Sequence, residues 1–318
     1  MTTEIETTST KSTEYQPLTP KLAWQLAAPH TWPASIMPIA VATAAAYATN
    51  GSVSFSMSVT LLVICVLMQS AVNTFNDYFD YVKGTDSEAD NVEVSDAVLV
   101  YNNVNPKSAK HLAIGMLVIA FILGIYPIYI AGWIPLAFGL VGALIVVLYS
   151  GGKTPISYLP LGEAVSGVVM GGLIPIASYH VLSGVLDPLM IIWSIPTIIG
   201  IGLIMLTNNT CDIEKDIVAE RNTLPVVLGR GKSVKLYHAL VICWIIAIVA
   251  IVGLWFTGGL IVMPFMLLSI YPLVKALFSN PIIPQSRVGA MAQICSLNIA
   301  LGAFYVAGMM ACNVCLTL

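Results

Sequence analysis

Two short polar stretches interrupt an otherwise apolar chain, and their residue types and spacing could do chemistry. The first carries Asn73, Asn76, Asp77, Asp80, Lys83 and Asp86; the second carries Asn208, Asp212, Asp216 and Arg221. If each stretch continues a helix, its three- and four-residue steps put these side chains on one face. Like charges at that spacing repel, so a bound cation is the natural compensation. Carboxylate and amide oxygens, with no His or Cys among them, suit Mg²⁺ rather than Zn²⁺. Asp77, Asp80, Asp86, Asp212 and Asp216 are the candidate ligands. Mg²⁺ takes one or two carboxylates and fills its shell with water and phosphate oxygens. Two facing clusters would therefore hold a diphosphate between metal ions, making Asp77, Asp80, Asp212 and Asp216 the expected catalytic groups. Asn73, Asn76 and Asn208 are neutral partners of the same site.

Cations near these arrays complete the pattern. Lys83 follows Asp80, Arg221 follows Asp216, and Lys153 lies in the loop that ends at Tyr158. A cation facing a departing diphosphate stabilises its growing charge. Anchoring at a membrane surface competes with this reading for each of the three, and is favoured for Lys232, Lys235 and Lys275. An Asp in a loop often caps a helix or is simply solvated. Eleven of the 16 acids fall in these two regions of a chain that is only 9% charged, and that concentration argues for chemistry.

The surrounding chain must position these residues inside a membrane. It is 318 residues long, 58% hydrophobic, with a mean hydropathy of +0.88. A bilayer span needs roughly 20 apolar residues, and breaks at Gly, Pro and charge yield about nine spans. Their limits are near 33–49, 54–75, 111–130, 133–150, 161–183, 188–208, 236–256, 259–278 and 287–313. The expected fold is all-α and polytopic: a bundle around a central cavity, built as two four-helix halves plus a ninth helix. Asn73/Asp77 and Asn208/Asp212 close the second and sixth spans at equal spacing, which suggests the related halves. Residues 1–21 read as a disordered cytoplasmic tail without a cleavable signal, and 22–318 as one transmembrane domain.

Nine spans place all 13 Lys and Arg on one side, which the positive-inside rule assigns to the cytoplasm. The amino terminus and both acidic arrays are then cytoplasmic, and the carboxyl terminus is outside. A net charge of -3 implies no nucleic-acid partner. The six cysteines are scattered, mostly within spans, so no disulfide framework is expected; Cys312 and Cys315 are a lone pair without further ligands. Gly167 and Gly171 form a small-xxx-small step that suits close helix packing.

Taken together, Asn76–Asp80 and Asp212–Asp216 at two helix ends resemble the paired aspartate motifs of the UbiA-type intramembrane prenyltransferases. The resemblance runs from about Leu22 onward. Within that family it points to the branch acting on 1,4-dihydroxy-2-naphthoate in menaquinone synthesis. Pro29–Ser35, Asn76–Asp86, Pro155–Tyr158 with Gly162 and Glu163, and Asp212–Leu224 carry that narrower likeness. The hydroxybenzoate branch often has a third Asp where this chain has Gly84. The loop containing Ser95–Tyr101 lacks an Arg common in relatives. The resemblance implies a bacterial plasma-membrane enzyme with Mg²⁺, a polyprenyl diphosphate donor and an aromatic acceptor. It implies a cavity open to lipid and a decarboxylating transfer that gives demethylmenaquinone.

Other acceptors (4-hydroxybenzoate, homogentisate, haem or a chlorophyllide) would leave the same motifs. A cation-coupled transporter would place its acids in mid-span, within broken helices. A CDP-alcohol phosphotransferase would need an Asp-Gly-x-x-Ala-Arg element, which is absent here.

Overall fold

The computed structural model describes residues 15–84 and 97–311. Asp86, the remaining loop acids from Glu88 to Asp96, and Cys312 and Cys315 lie outside the described residues.

The elements follow the apolar runs. They are α1 (Pro20–Leu26), α2 (Pro33–Asn50), α3 (Phe55–Lys83), α4 (Val98–Asn102), α5 (Pro106–Ala131), α6 (Trp133–Ser150) and α7 (Gly162–Val168). Next come α8 (Ile174–Ser183), α9 (Leu189–Trp193), α10 (Ile195–Cys211), α11 (Ile213–Val218), α12 (Leu224–Leu228) and α13 (Arg230–Trp255). Last are α14 (Met263–Ser279) and α15 (Arg287–Met310). Among the described residues, eight helical stretches are long and apolar enough to cross a membrane. The first expected span is α2, 18 residues long and rich in alanine, with its small residues buried inside the bundle. The protein is an all-α multi-pass membrane protein.

The second span outruns its apolar stretch: α3 continues unbroken through the first acidic array to Lys83. Gly84 then ends it in the left-handed region at φ 69°. A residue with a Cβ pays a steric cost in that conformation. Residues 15–21, placed in the tail by the sequence reading, are held against the body. Gln16 N–H donates to the Asn103 carbonyl at 2.9 Å, and the Thr19 hydroxyl accepts from Leu22 N–H where α1 begins.

The fifth span is a composite of α7, a π turn over Val169–Leu173 and α8. Pro175 has no N–H to give the Gly171 carbonyl four residues earlier. The Thr197 hydroxyl of α10 donates to that carbonyl instead, at 2.6 Å. In a medium without water this satisfies a backbone group that would otherwise be orphaned.

Two regions divide the interior. One is a dense core of α2, α10, α13, α14 and α15, centred on Trp193, Tyr237, Phe256 and Tyr305. Trp193 meets Phe256 edge-on at 5.1 Å between ring centres, and Tyr305 Oη donates to the Trp193 carbonyl at 2.9 Å. The other is an apolar cavity of about 200 Å³ between α2, α3, α5, α6 and α8. On α3 it runs from Leu61 to Val72, about 16 Å along the helix axis. The wall supplied by α6 has no buried residue of its own, and its outer face carries Leu140, Leu144 and Val147 to the lipid side.

Close packing of α7–α8 on α10 depends on small residues. A Cβ on Gly171 would sit 2.5 Å from the Thr197 and Ile198 backbone, and one on Gly167 2.6 Å from the Ile198 carbonyl. Gly171→Leu should therefore destabilise the protein by more than about 2 kcal/mol, because backbone cannot step aside as a side chain can. Gly115→Ala, on a helix face with open space, should be neutral or slightly stabilising. Thermal unfolding in detergent, followed by loss of monodispersity, measures both.

Candidate active site

The site forms where α3, α6, α7 and α10 end on the same side of the bundle. It is assembled by arginines reaching across between acids that the chain keeps far apart.

Asp80 is one turn before the end of α3. Arg221 Nη2 donates to its Oδ1 at 2.8 Å, while Nη1 of the same guanidinium lies 3.9 Å from Asp216 Oδ1. One cation thus ties the first acidic array to the second. Local backbone aims it: Glu220 adopts φ 55°, which turns the chain so that Arg221 N–H donates back to the Asp216 carbonyl at 2.8 Å. A left-handed residue other than glycine costs about 1 kcal/mol, so this turn is held by what it positions. The guanidinium also lies over the Tyr158 ring at 4.8 Å, and Lys83 Nζ lies over the same ring at 5.1 Å. Tyr158 is fixed in turn by Asn222 N–H, which donates to its carbonyl at 2.8 Å.

The second array differs from a continuous stripe. The α10 helix stops at Cys211, Asp212 takes a non-helical conformation, and Ile213 starts a new short helix. Arg287, the first residue of α15, holds this break: Nη2 donates to Asn208 Oδ1 at 2.6 Å and Nε lies 3.2 Å from Asp212 Oδ1. Asp216 is buried, and its Oδ2 accepts from the Thr223 hydroxyl at 3.0 Å. Below it Glu214 takes the fork of Arg230 at 2.7 and 2.8 Å, with Arg230 also bonded to the Thr210 and Ile282 carbonyls. That cation is a structural clamp.

Burial governs the titration of these groups. It raises Asp216 to about 6 against the opposing pull of Arg221 and Thr223. It also raises Asp212, though Arg287 and Lys215 act against it. Burial works to lower Arg221, but Asp80, Tyr158 and Asp216 outweigh it, so its guanidinium is held more firmly charged than usual. Glu214, at the surface, falls to about 2 because Arg230 hydrogen-bonds its ionised form.

Other residues expected in the site have different partners. Both oxygens of Asp77 accept backbone N–H groups at the start of α4, from Val98 at 2.7 Å and Leu99 at 3.3 Å. Asn76 is bonded to the Ser150 hydroxyl at the end of α6. Lys83 Nζ donates to the Ser150 carbonyl at 3.2 Å. Asn73 Nδ2 donates to the Ala27 carbonyl and the Thr31 hydroxyl, at 3.1 and 2.8 Å, so it fastens the turn before α2. Lys153 is exposed in its loop. Among the described residues no three of His, Cys, Asp and Glu converge on one point where an ion could sit. Asp80 and Asp216 share Arg221, and one or two carboxylates are what Mg²⁺ uses when phosphate supplies the rest of its shell.

Sequence reasoning missed Arg287, Glu163 and Asn209. Arg287 had only the signature of a membrane anchor, since nothing in the sequence links it to Asp212. Glu163 did carry a signal, being an acid at the start of an apolar span. It is 4% exposed, and its Oε1 accepts from Asn209 Nδ2 at 2.8 Å. Removing Arg287 alone leaves the Asp212 carboxylate half-buried without its cation. Arg287→Ala should therefore lower stability by about 2–3 kcal/mol, and Arg287→Ala with Asp212→Asn should cost less than the two single changes added together. A double-mutant cycle of thermal midpoints measures that coupling.

The chain is similar in sequence and in fold to known proteins. The model of the UbiA prenyltransferase family matches residues 35–282. A 1,4-dihydroxy-2-naphthoate octaprenyltransferase of Bacillus subtilis is 35% identical over 239 residues, 75% of this chain and 75% of its own. A protein of the same description from Haemophilus influenzae is 27% identical over 230 residues, 70% of this chain and 73% of its own. The fold matches that of a UbiA homolog from Archaeoglobus fulgidus bound to GPP and Mg²⁺. The TM-score is 0.61 at 16% identity, over 90% of this chain and 99% of that one. With its two acid arrays joined across the ends of α3 and α10 and its sequence matched over most of its length, the chain belongs to the UbiA prenyltransferase family.

Proposed function

We propose that this prenyltransferase moves a polyprenyl group from polyprenyl diphosphate to 1,4-dihydroxy-2-naphthoate, with loss of carbon dioxide, giving demethylmenaquinone. The observation that carries the reading is the pairing of Asp80, Asp212 and Asp216 with Arg221 and Arg287 at one end of a bundle that also encloses an apolar cavity. The descriptions of the Bacillus and Haemophilus relatives support the acceptor. That of the Archaeoglobus homolog supports Mg²⁺ and a prenyl diphosphate. Lys and Arg on one side of nine spans support a cytoplasmic site in a bacterial plasma membrane.

The donor set fits Mg²⁺, being all oxygen, anionic and arranged in pairs. Asp80, Asp212 and Asp216 would hold it, with Asn76 and Asn208 as neutral oxygens and Asp77 through the lone pairs its amide partners leave. When bound, the metal supplies Lewis acidity and a template for the diphosphate. The protein's own residues do the rest. As the bond from the first prenyl carbon to diphosphate oxygen breaks, negative charge grows on the leaving group. Arg221 and Arg287 stand against the acids, with Lys83 over the same Tyr158 ring as Arg221, and these are the cations to meet that charge. The allylic cation left behind faces an apolar lining of Met68, Val72 and Val146, which keeps water from quenching it. An electron-rich ring carbon then forms the new carbon–carbon bond.

Purified protein given Mg²⁺, a polyprenyl diphosphate and a panel of aromatic acceptors should prenylate the naphthoate and release carbon dioxide. Asp77→Asn and Asp212→Asn, which keep an oxygen for their neighbours, should each cut kcat/KM at least about 100-fold, roughly 3 kcal/mol, with folding intact. Normal turnover by both variants would remove the metal assignment, and turnover only of hydroxybenzoate would move the chain to a sister branch.

Binding also has a pH signature. Above about 6 the metal-free protein carries Asp216 buried as an anion, which destabilises it relative to the unfolded chain. A bound cation relieves that cost, and ligation requires the proton to leave. Mg²⁺ should therefore raise the thermal midpoint more at about pH 7.5 than at about pH 5.5. Equal shifts at both values would exclude Asp216 as a ligand.

A further inference from the structure

Three glycines in the wall of the apolar cavity have open space in front of them. Gly124 on α5 and Gly139 and Gly142 on α6 all line it. A Cβ on Gly124 or Gly139 would meet no atom within 4 Å, and one on Gly142 would meet only the Met68 methyl, at 3.8 Å. They do not serve close helix packing, as Gly167 and Gly171 do. None of the three takes the left-handed conformation that calls for glycine. Glycine inside a helix is less stable than alanine, so three around one space keep that space open at a cost to the fold.

The cavity is shaped for a chain and adjoins the site. Among the described residues that line it none is charged, and beside the Cys65 thiol the polar ones are Ser35, Gln69 and Ser178. A ring bearing a carboxylate and hydroxyls would find few partners there, and a hydrocarbon tail needs none. On α3 the lining ends at Val72, with Asn76 one turn further on; on α6 it ends at Val146, with Ser150 one turn further on. Asn76 and Ser150 are bonded to each other, and Asp80 stands another turn along α3. A diphosphate held at the acid arrays would therefore send its tail in past Val72 and Val146, then past Met68 and Gly142.

We propose that this cavity takes the prenyl tail of the donor, and that side-chain size at Gly142 and Gly139 decides which tail lengths it accepts. This rests on the prenyl diphosphate reading given above and deepens it. The two glycines share one side of α6 with Pro135 and Val146, at helical spacing. They are three residues apart, about 4.5 Å along the axis. An extended isoprene unit, four carbon–carbon bonds of about 1.5 Å each, spans roughly 5 Å. A side chain added at Gly142 would thus stop a tail one isoprene unit earlier than the same side chain at Gly139.

The test uses the full-length enzyme with Mg²⁺, an aromatic acceptor and a series of geranyl, farnesyl, geranylgeranyl and longer polyprenyl diphosphates. Gly142→Leu should lower kcat/KM about tenfold or more for the longer donors and leave geranyl diphosphate within about threefold, as overpacking of a slot would. Gly139→Leu should do the same with its cut-off one isoprene unit further along the series. Gly115→Leu, at a glycine with open space outside the cavity lining, should leave the series unchanged. Thermal stabilisation by each donor with Mg²⁺ should follow the same order. Equal losses for every donor, or an unchanged series in both variants, would overturn the slot. A raised KM for the acceptor with the donor series intact would overturn it too, and give the cavity to the acceptor ring. Where leucine prevents folding, judged by the thermal midpoint without ligands, Gly142→Ala and Gly139→Ala decide. Each should shift the series about threefold in the same direction, and no shift counts against the slot. If wild type transfers no prenyl group, the functional reading fails, and the order of thermal stabilisation then decides the slot separately.

Discussion

Carboxylates at the edge of a hydrocarbon layer must be neutralised, and in this protein arginines from distant parts of the chain do it. Arg221 reaches Asp80 across 141 positions of sequence, and Arg287 reaches Asp212 across 75. Each contact fixes helix ends as well as charge: Arg221 sets α3 against the α11 segment, and Arg287 sets the start of α15 against the end of α10. An exposed ion pair of this kind contributes little. At a half-buried boundary the balance shifts, because losing either partner strands a charge that the surroundings solvate poorly. The relative placement of three spans therefore depends on the site's electrostatics.

The same constraint shapes the backbone. Asp212 breaks α10 where a continuous helix would have carried its carboxylate around with the helical rotation. The break sends Asp216 inward to Thr223 and Arg221, and the left-handed Glu220 then brings the arginine back over the site. At α3 the opposite solution is used: the helix runs on past the apolar region, so Asp77 and Asp80 stand on a rigid extension. Gly84 closes that extension in a left-handed turn. An Asp at this position would pay a steric cost that glycine avoids.

The fold was largely legible because its signals are local. Span lengths and Gly and Pro breaks gave about nine spans, most of them close to their helices, although α3 runs on to Lys83, well past its expected end near 75. The acid arrays were legible for the same reason, since spacing along one helix is a property of adjacent residues. The break at Asp212 was not, because the Asn208, Asp212, Asp216 spacing suits a helix and only Arg287 shows where it must stop. Asn73 misled for a related reason: its spacing groups it with Asn76 and Asp77, yet packing of α1 against α3 claims its amide for Ala27 and Thr31.

Glu163 marks the boundary between the two kinds of information. Its sequence neighbourhood says only that an acid stands at the mouth of an apolar span, where a snorkelling side chain would be unremarkable. The structure closes that escape: α7 is packed so tightly on α10 through Gly167 that Glu163 is covered, and Asn209 meets only one of its two oxygens. A side chain kept from water in this way depends on protein partners alone. That condition distinguishes it from Glu214, an acid of equal charge a short way off. Arg230 engages both Glu214 oxygens, and that acid completes the clamp at the surface.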